Sequence, residues 1–116
     1  MRATDTPESR SVRMPIRTYS IANERLHWRT RAKRAKVQRS AARMLCPADL
    51  VLPLTIRIVR VSPRELDSDN LAISAKHVRD GIADRLGIDD RDPRVTWVYA
   101  QARGYDFSVL VEFASA

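Results

Sequence analysis

The chain has 116 residues, with 21 Lys+Arg against 14 Asp+Glu and a formal net charge of +7. That length suits one domain, and 44% hydrophobic residues with only 3 Gly and 6 Pro exclude a fibrous or wholly disordered chain. A single cysteine, Cys46, with only His27 and His77 beside it, excludes an internal disulfide and a Cys/His zinc site.

Residues 1–12 are polar and read as a disordered tail, leaving 13–116 as the single folded domain. No stretch of about 18 apolar residues spans a membrane, and the N-terminus lacks the apolar segment of a secretory signal, so a cytoplasmic location is expected. Residues 13–19 suit a short first strand. A helix follows, with Asn23 as a plausible N-cap and Pro47 stopping it just after Cys46. Val37, Ala41, Met44 and Leu45 fall at helical spacing and predict its apolar stripe. Leu54–Val61 alternates apolar and polar residues, then slips phase near Val59, which suggests a strand with a bulge. Leu71–Leu86 predicts one helix, with Leu71, Ala75, Val78 and Ile82 on its buried side and Gly87 as its C-terminal stop. Val95, Trp97 and Tyr99 share a face of the next strand and read as core. Gly104 marks a turn, and Phe107, Val109, Val111 and Phe113 alternate along the last strand. The expected fold is a small α+β domain, in the order β-α-β-α-β-β, with a mixed or antiparallel sheet packed by two helices.

Charge is unevenly placed. Residues 1–45 carry 12 Lys+Arg and 3 acids, whereas residues 46–116 carry 9 Lys+Arg and 11 acids. Arg25, Arg29, Arg31, Lys33, Arg34 and Lys36 form the densest cationic run, with Trp28 and His27 at its start. A solvated helix face is the ordinary reading of such a run, but few acids oppose it, and phosphate-backbone binding is the functional one.

The carboxylates gather elsewhere. Asp67 and Asp69 stand where a strand gives way to a helix, and Asp89 and Asp90 stand where that helix gives way to the next strand. Capping and turn formation are open to all of them, and Asp92 is a register alternative to Asp90. Asp80 and Asp84 read as a solvated helix face, and His77 as surface or packing. On a single helix Asp69, Lys76 and Asp80 would share the polar side. The two acid pairs could meet only if the following strand brought Asp90 back toward Asp67. Were they to meet, hard divalent cations, which favour carboxylate oxygens and retain waters, would suit them, with a lysine adding charge near a bound phosphate.

Taken in order, Asp67-x-Asp69-Asn70-Leu71, Lys76-x-x-x-Asp80-Gly-Ile-Ala, Gly87-Ile-Asp89-Asp90 and a closing Val-Leu-Val-Glu strand resemble the RusA family of Holliday junction resolvases over roughly residues 51–113. The resemblance implies a homodimeric α+β endonuclease of a bacterial or phage-infected cell. It would cut two opposed strands of a four-way DNA junction with Mg²⁺, Mn²⁺ being a possible substitute, and need no small-molecule cofactor. It further implies that Asp67, Asp69 and Asp90 bind the metal and that Lys76 assists catalysis. The basic run and Arg64 would then contact DNA. Lys76 follows Asp69 by seven residues where the family commonly has four, a difference of about 4.5 Å along a helix.

Overall fold

The computed structural model describes residues 9–19, 27–66 and 68–116, the side chains of Ser68 and Asp69 excepted. Strands β1 (Ser9–Met14), β2 (Leu54–Ser62), β3 (Val95–Arg103) and β4 (Ser108–Ser115) form one sheet in the order β1-β4-β2-β3. β2 runs parallel to β3, while β4 is antiparallel to both β1 and β2, so the sheet is mixed. Helices α1 (Trp28–Leu45), α2 (Ser68–Ser74) and α3 (Lys76–Leu86) complete the α+β domain. Alternation along the strands sends Met14, Ile56, Ile58, Val109, Val111 and Phe113 into the core with Val78 and Ile82 of α3. No described helix is long and apolar enough to cross a membrane.

Several expected boundaries change. The first strand lies at Ser9–Met14 rather than 13–19, and its first four residues fall inside the expected tail. They are ordered by pairing: the register runs from Ser9↔Ala114 to Met14↔Val109. Asn23 lies outside the described residues. The N-cap of α1 is His27, whose Nδ1 accepts a hydrogen bond from the Arg29 N–H at 3.2 Å.

The stripe expected on α1 is not its buried side. Val37 and Met44 are 60% and 78% exposed, whereas Gln38 and Ala42 are buried. Two contacts dictate this rotation. Gln38 Nε2 donates to the Arg17 carbonyl at 2.9 Å, and Ala42 lies against Gly81 of α3, where an added Cβ would collide with the Arg39 carbonyl. A close helix–helix approach therefore selects small residues rather than the most apolar ones. Asp84 is part of the same contact and not merely a solvated residue: its carboxylate accepts from Arg39 Nε and Nη2 at 2.6 and 2.8 Å.

No bulge interrupts β2, which pairs continuously from Leu54↔Val95 to Ser62↔Arg103. The phase slip arises because Arg60 occupies an inward position beside Ile58 and Ser62. The helix expected over 71–86 is two helices, so the described residues form three. Ser74 Oγ donates to the Leu71 carbonyl at 2.7 Å and Ala75 N–H bonds to Ala72, closing a tight turn before α3 starts. At the other end, Gly87 adopts the left-handed conformation (φ 70°), and its N–H and that of Ile88 cap the helix, as expected.

Candidate functional site

The crossover from β2 to β3 carries the acidic segments. Asp67 lies outside the described residues. Asp69 stands in the first turn of α2, and the chain just before it is held at Leu66. Gln101 of β3 donates from Nε2 to the Leu66 carbonyl at 2.7 Å and accepts the Leu66 N–H at 2.8 Å, as a neighbouring strand would. Because β3 is parallel to β2, Asp90 enters from the opposite end of the strand. It is nevertheless folded back along β3, since its carbonyl accepts from Trp97 Nε1 at 3.0 Å and Arg79 Nη2 at 2.6 Å. The residues gripping Leu66 and Asp90, Gln101 and Trp97, are four apart, which is about 13 Å along a strand.

The neighbouring acids have distinct surroundings. Asp89 Oδ1 accepts the Arg91 N–H at 2.8 Å, and this bond holds its carboxyl below the usual range. Asp92 accepts from the side chain and backbone of Arg94, which lowers it to about 2. Asp90 is the less committed carboxylate, 38% exposed and 3.5 Å from Arg79 Nε. Among the described residues no three His, Cys, Asp or Glu side chains meet in a group that could hold a metal ion. Of the expected metal ligands Asp67, Asp69 and Asp90, only the Asp90 side chain lies among the described residues.

Lys76 begins α3 and is 62% exposed, with Nζ 3.2 Å from Asp80 Oδ2. The break at Ala75 puts Lys76 and Asp69 on different helices. His77 is half-buried, and burial, then Lys76, push its imidazole below the ordinary value. Arg79 was not singled out from sequence, yet it joins three parts of the site. It stacks on Trp97 at 4.7 Å, donates to the Tyr99 hydroxyl at 2.8 Å and holds the Asp90 loop. Trp97 and Tyr99 thus pack on the core and orient polar groups as well. The signal for Gln101 and Arg79 was positional: one continues the inward alternation of Trp97 and Tyr99, and the other lies a turn from Lys76.

The basic helix α1 contains no acidic residue, and its first turn holds Arg29 and Arg31 at the positive end of the helix dipole. Arg29, Arg31, Lys33 and Lys36 are exposed, while Arg34 is half-buried with its guanidinium 3.8 Å over the Tyr19 ring. Arg25 lies outside the described residues. Arg64 is exposed in the loop after β2. A cavity of about 340 Å³ opens where Arg31, Arg34 and Tyr19 face Ser74 and His77. A second groove, about 390 Å³, shares Tyr19 and Arg34 and adds Arg17, Lys33 and Val37. The cations foreseen on α1 therefore border the crossover that carries Lys76.

No family model matches the chain. A curated protein of Xylella fastidiosa (strain Temecula1 / ATCC 700964), itself called uncharacterized, is 38% identical over 82 residues. The aligned part is 60% of this chain and 52% of that protein, so the match spans about half the relative's length.

Proposed function

We propose that the protein is a metal-dependent endonuclease of the RusA type, which binds four-way DNA junctions and cuts two opposed strands. The observation that carries this reading is the cavity where Arg31 and Arg34 of the basic helix face Ser74 and His77 of the acid-bearing crossover. A phosphate backbone drawn to α1 would pass directly over the element that presents Lys76. Asp67, Asp69 and Asp90 are the proposed metal ligands, and bound Mg²⁺, or Mn²⁺ in its place, would supply an activated water and neutralise phosphate charge. Within this reading Arg25, Arg29, Arg31, Lys33, Arg34, Lys36 and Arg64 hold phosphates, and Lys76 adds positive charge near the scissile group. A homodimer matches the two-fold symmetry of a junction that needs paired nicks.

Asp69→Asn is expected to abolish Mg²⁺-dependent cleavage of a four-way junction while retaining the retarded complex in a gel. A variant that cuts at the native rate sinks the assignment. The competing reading is a nucleic-acid-binding module without catalysis, favoured by the ion pair between Asp90 and Arg79. It expects a salt-sensitive complex and no Mg²⁺-dependent product from the native chain. A nuclease acting on other branched DNA or on RNA would instead cut those substrates as fast as the four-way junction.

A further inference from the structure

Arg60 is the most deeply placed cation in the described structure, only 7% exposed at the C-terminal end of β2. Its hydrogen-bond partners among the described residues are all neutral. Nε donates to Thr18 Oγ1 at 3.0 Å, and Nη1 donates to Ser62 Oγ and to the Arg64 carbonyl, both at 2.8 Å. Nη2 has no hydrogen-bond partner among the described residues. A guanidinium carries five N–H donors and stays charged, so burial without a counter-ion is costly. Elsewhere the acids are engaged: Asp84, Asp90, Asp92, Glu65 and Glu112 each pair with an arginine other than Arg60.

A second arginine acts on Arg60 in the same sense as burial. Burial pulls its guanidinium below the usual value, and the Arg17 charge pulls it further the same way. Arg17 is exposed, yet it is held in place. Its Cζ lies 3.9 Å from the centre of the Phe107 ring and 5.0 Å from that of Tyr19, while its own carbonyl accepts from Gln38. Two stacked rings fix a planar guanidinium in advance, which reduces the entropy lost when it binds a ligand. A buried cation and a pre-positioned exposed one, with no carboxylate between them among the described residues, form an incomplete charge pair. An oxyanion would complete it.

We propose that Arg60 and Arg17 form a phosphate-binding site, occupied by a backbone phosphate of the nucleic acid. The nature of the ligand rests on the nucleic-acid reading above, whereas the anion site stands on the arginine geometry. The site adds to α1 a contact at the end of β2, beside the loop that leads through Arg64 to Leu66. Arg17 also lines the groove that carries Lys33 and Arg34, so one strand could touch both. The sign of the site is fixed by chemistry: it takes dianions or phosphodiesters and rejects cations.

Arg60→Gln also removes the bonds to Thr18, Ser62 and Arg64 and risks unfolding, so the test uses Arg17→Gln and the unmodified chain. Binding to a labelled four-way junction is measured against salt for the native chain, Arg17→Gln and Arg13→Gln. Arg13 supplies an equal charge on the opposite sheet face, since it alternates with the core residue Met14. Arg17→Gln is expected to weaken binding about tenfold and lower the salt slope by about one, with Arg13→Gln close to native. Native binding that Arg17→Gln leaves unchanged overturns the proposal. In parallel, the arginine Nε–H resonances of the unmodified chain are followed as inorganic phosphate is added. Saturable shifts of Arg17 and Arg60 support the site even if the chain binds no DNA, an outcome that sinks the nucleic-acid reading alone. No shift in either resonance, together with no loss of binding in Arg17→Gln, overturns the site.

Discussion

Asp89, Asp90 and Asp92 lie within four residues and do three different things, because each meets a different arginine or amide. Asp92 is the plainest case: its carboxyl is depressed to about 2, against about 4 for an ordinary aspartate. A group depressed in the folded state adds stability that is present above the unfolded value and lost as the pH falls through the folded one. Asp84, lowered by Arg39, acts in the same direction. Thermal unfolding should therefore occur at progressively lower temperature between about pH 4 and pH 2. Arg94→Gln should reduce that drop, and an identical acid profile in the variant would show that the pair contributes nothing. Gln101 offers a second test at this scale. Gln101→Leu leaves both backbone groups of Leu66 without their partner and should cost about 1–3 kcal/mol in a urea titration, if water does not replace the bonds. A variant as stable as the native chain would mean that solvent serves Leu66 equally well. The acid pairs and the cations of α1 were visible in the sequence because charge and spacing are local properties. Arg60, Arg79 and Gln101 were not, since their partners lie at Thr18, Asp90 and Leu66, beyond the reach of any local pattern.

At the scale of elements, periodicity located the strands better than the helices. The alternation of Val109, Val111 and Phe113 in β4 and the glycine stop at Gly87 are read directly, because both depend on backbone geometry within a few residues, whereas Phe107 precedes the strand and is exposed. The apolar spacing of α1 misled, since its buried side is chosen by how closely Ala42 can approach Gly81 rather than by total hydrophobicity. Gly81→Ala should consequently destabilise the fold by about 1–3 kcal/mol, through overpacking against the Arg39 backbone. A denaturation midpoint equal to that of the native chain would contradict so tight a contact. The break at Ala75 was equally illegible, because Leu71, Ala75, Val78 and Ile82 keep helical spacing straight through it. At the break the Ser74 hydroxyl bonds back to the Leu71 carbonyl and the Ala75 N–H to that of Ala72, contacts that no spacing of apolar residues reveals.

Across the whole molecule, sequence and structure divide the charge in the same way. An acid-free basic helix borders a crossover rich in carboxylates, and an Arg17–Arg60 pair adds positive charge at the end of β2. The expectation was a mixed or antiparallel sheet, and the sheet is mixed; the parallel pairing of β2 with β3 decides that Asp69 and Asp90 approach from opposite ends of one strand. Folding Asp90 back to Trp97 shortens that gap, which is how the proposed active site would assemble within one chain. The most direct measurement is a gel assay of the purified chain on a labelled, immobile four-way junction, with Mg²⁺ and with EDTA, beside a duplex of the same sequence. Paired symmetric nicks in the junction, present only with Mg²⁺ and absent from the duplex, are the predicted result. A retarded complex that yields no product under Mg²⁺ or Mn²⁺ would contradict the nuclease and leave a nucleic-acid-binding module.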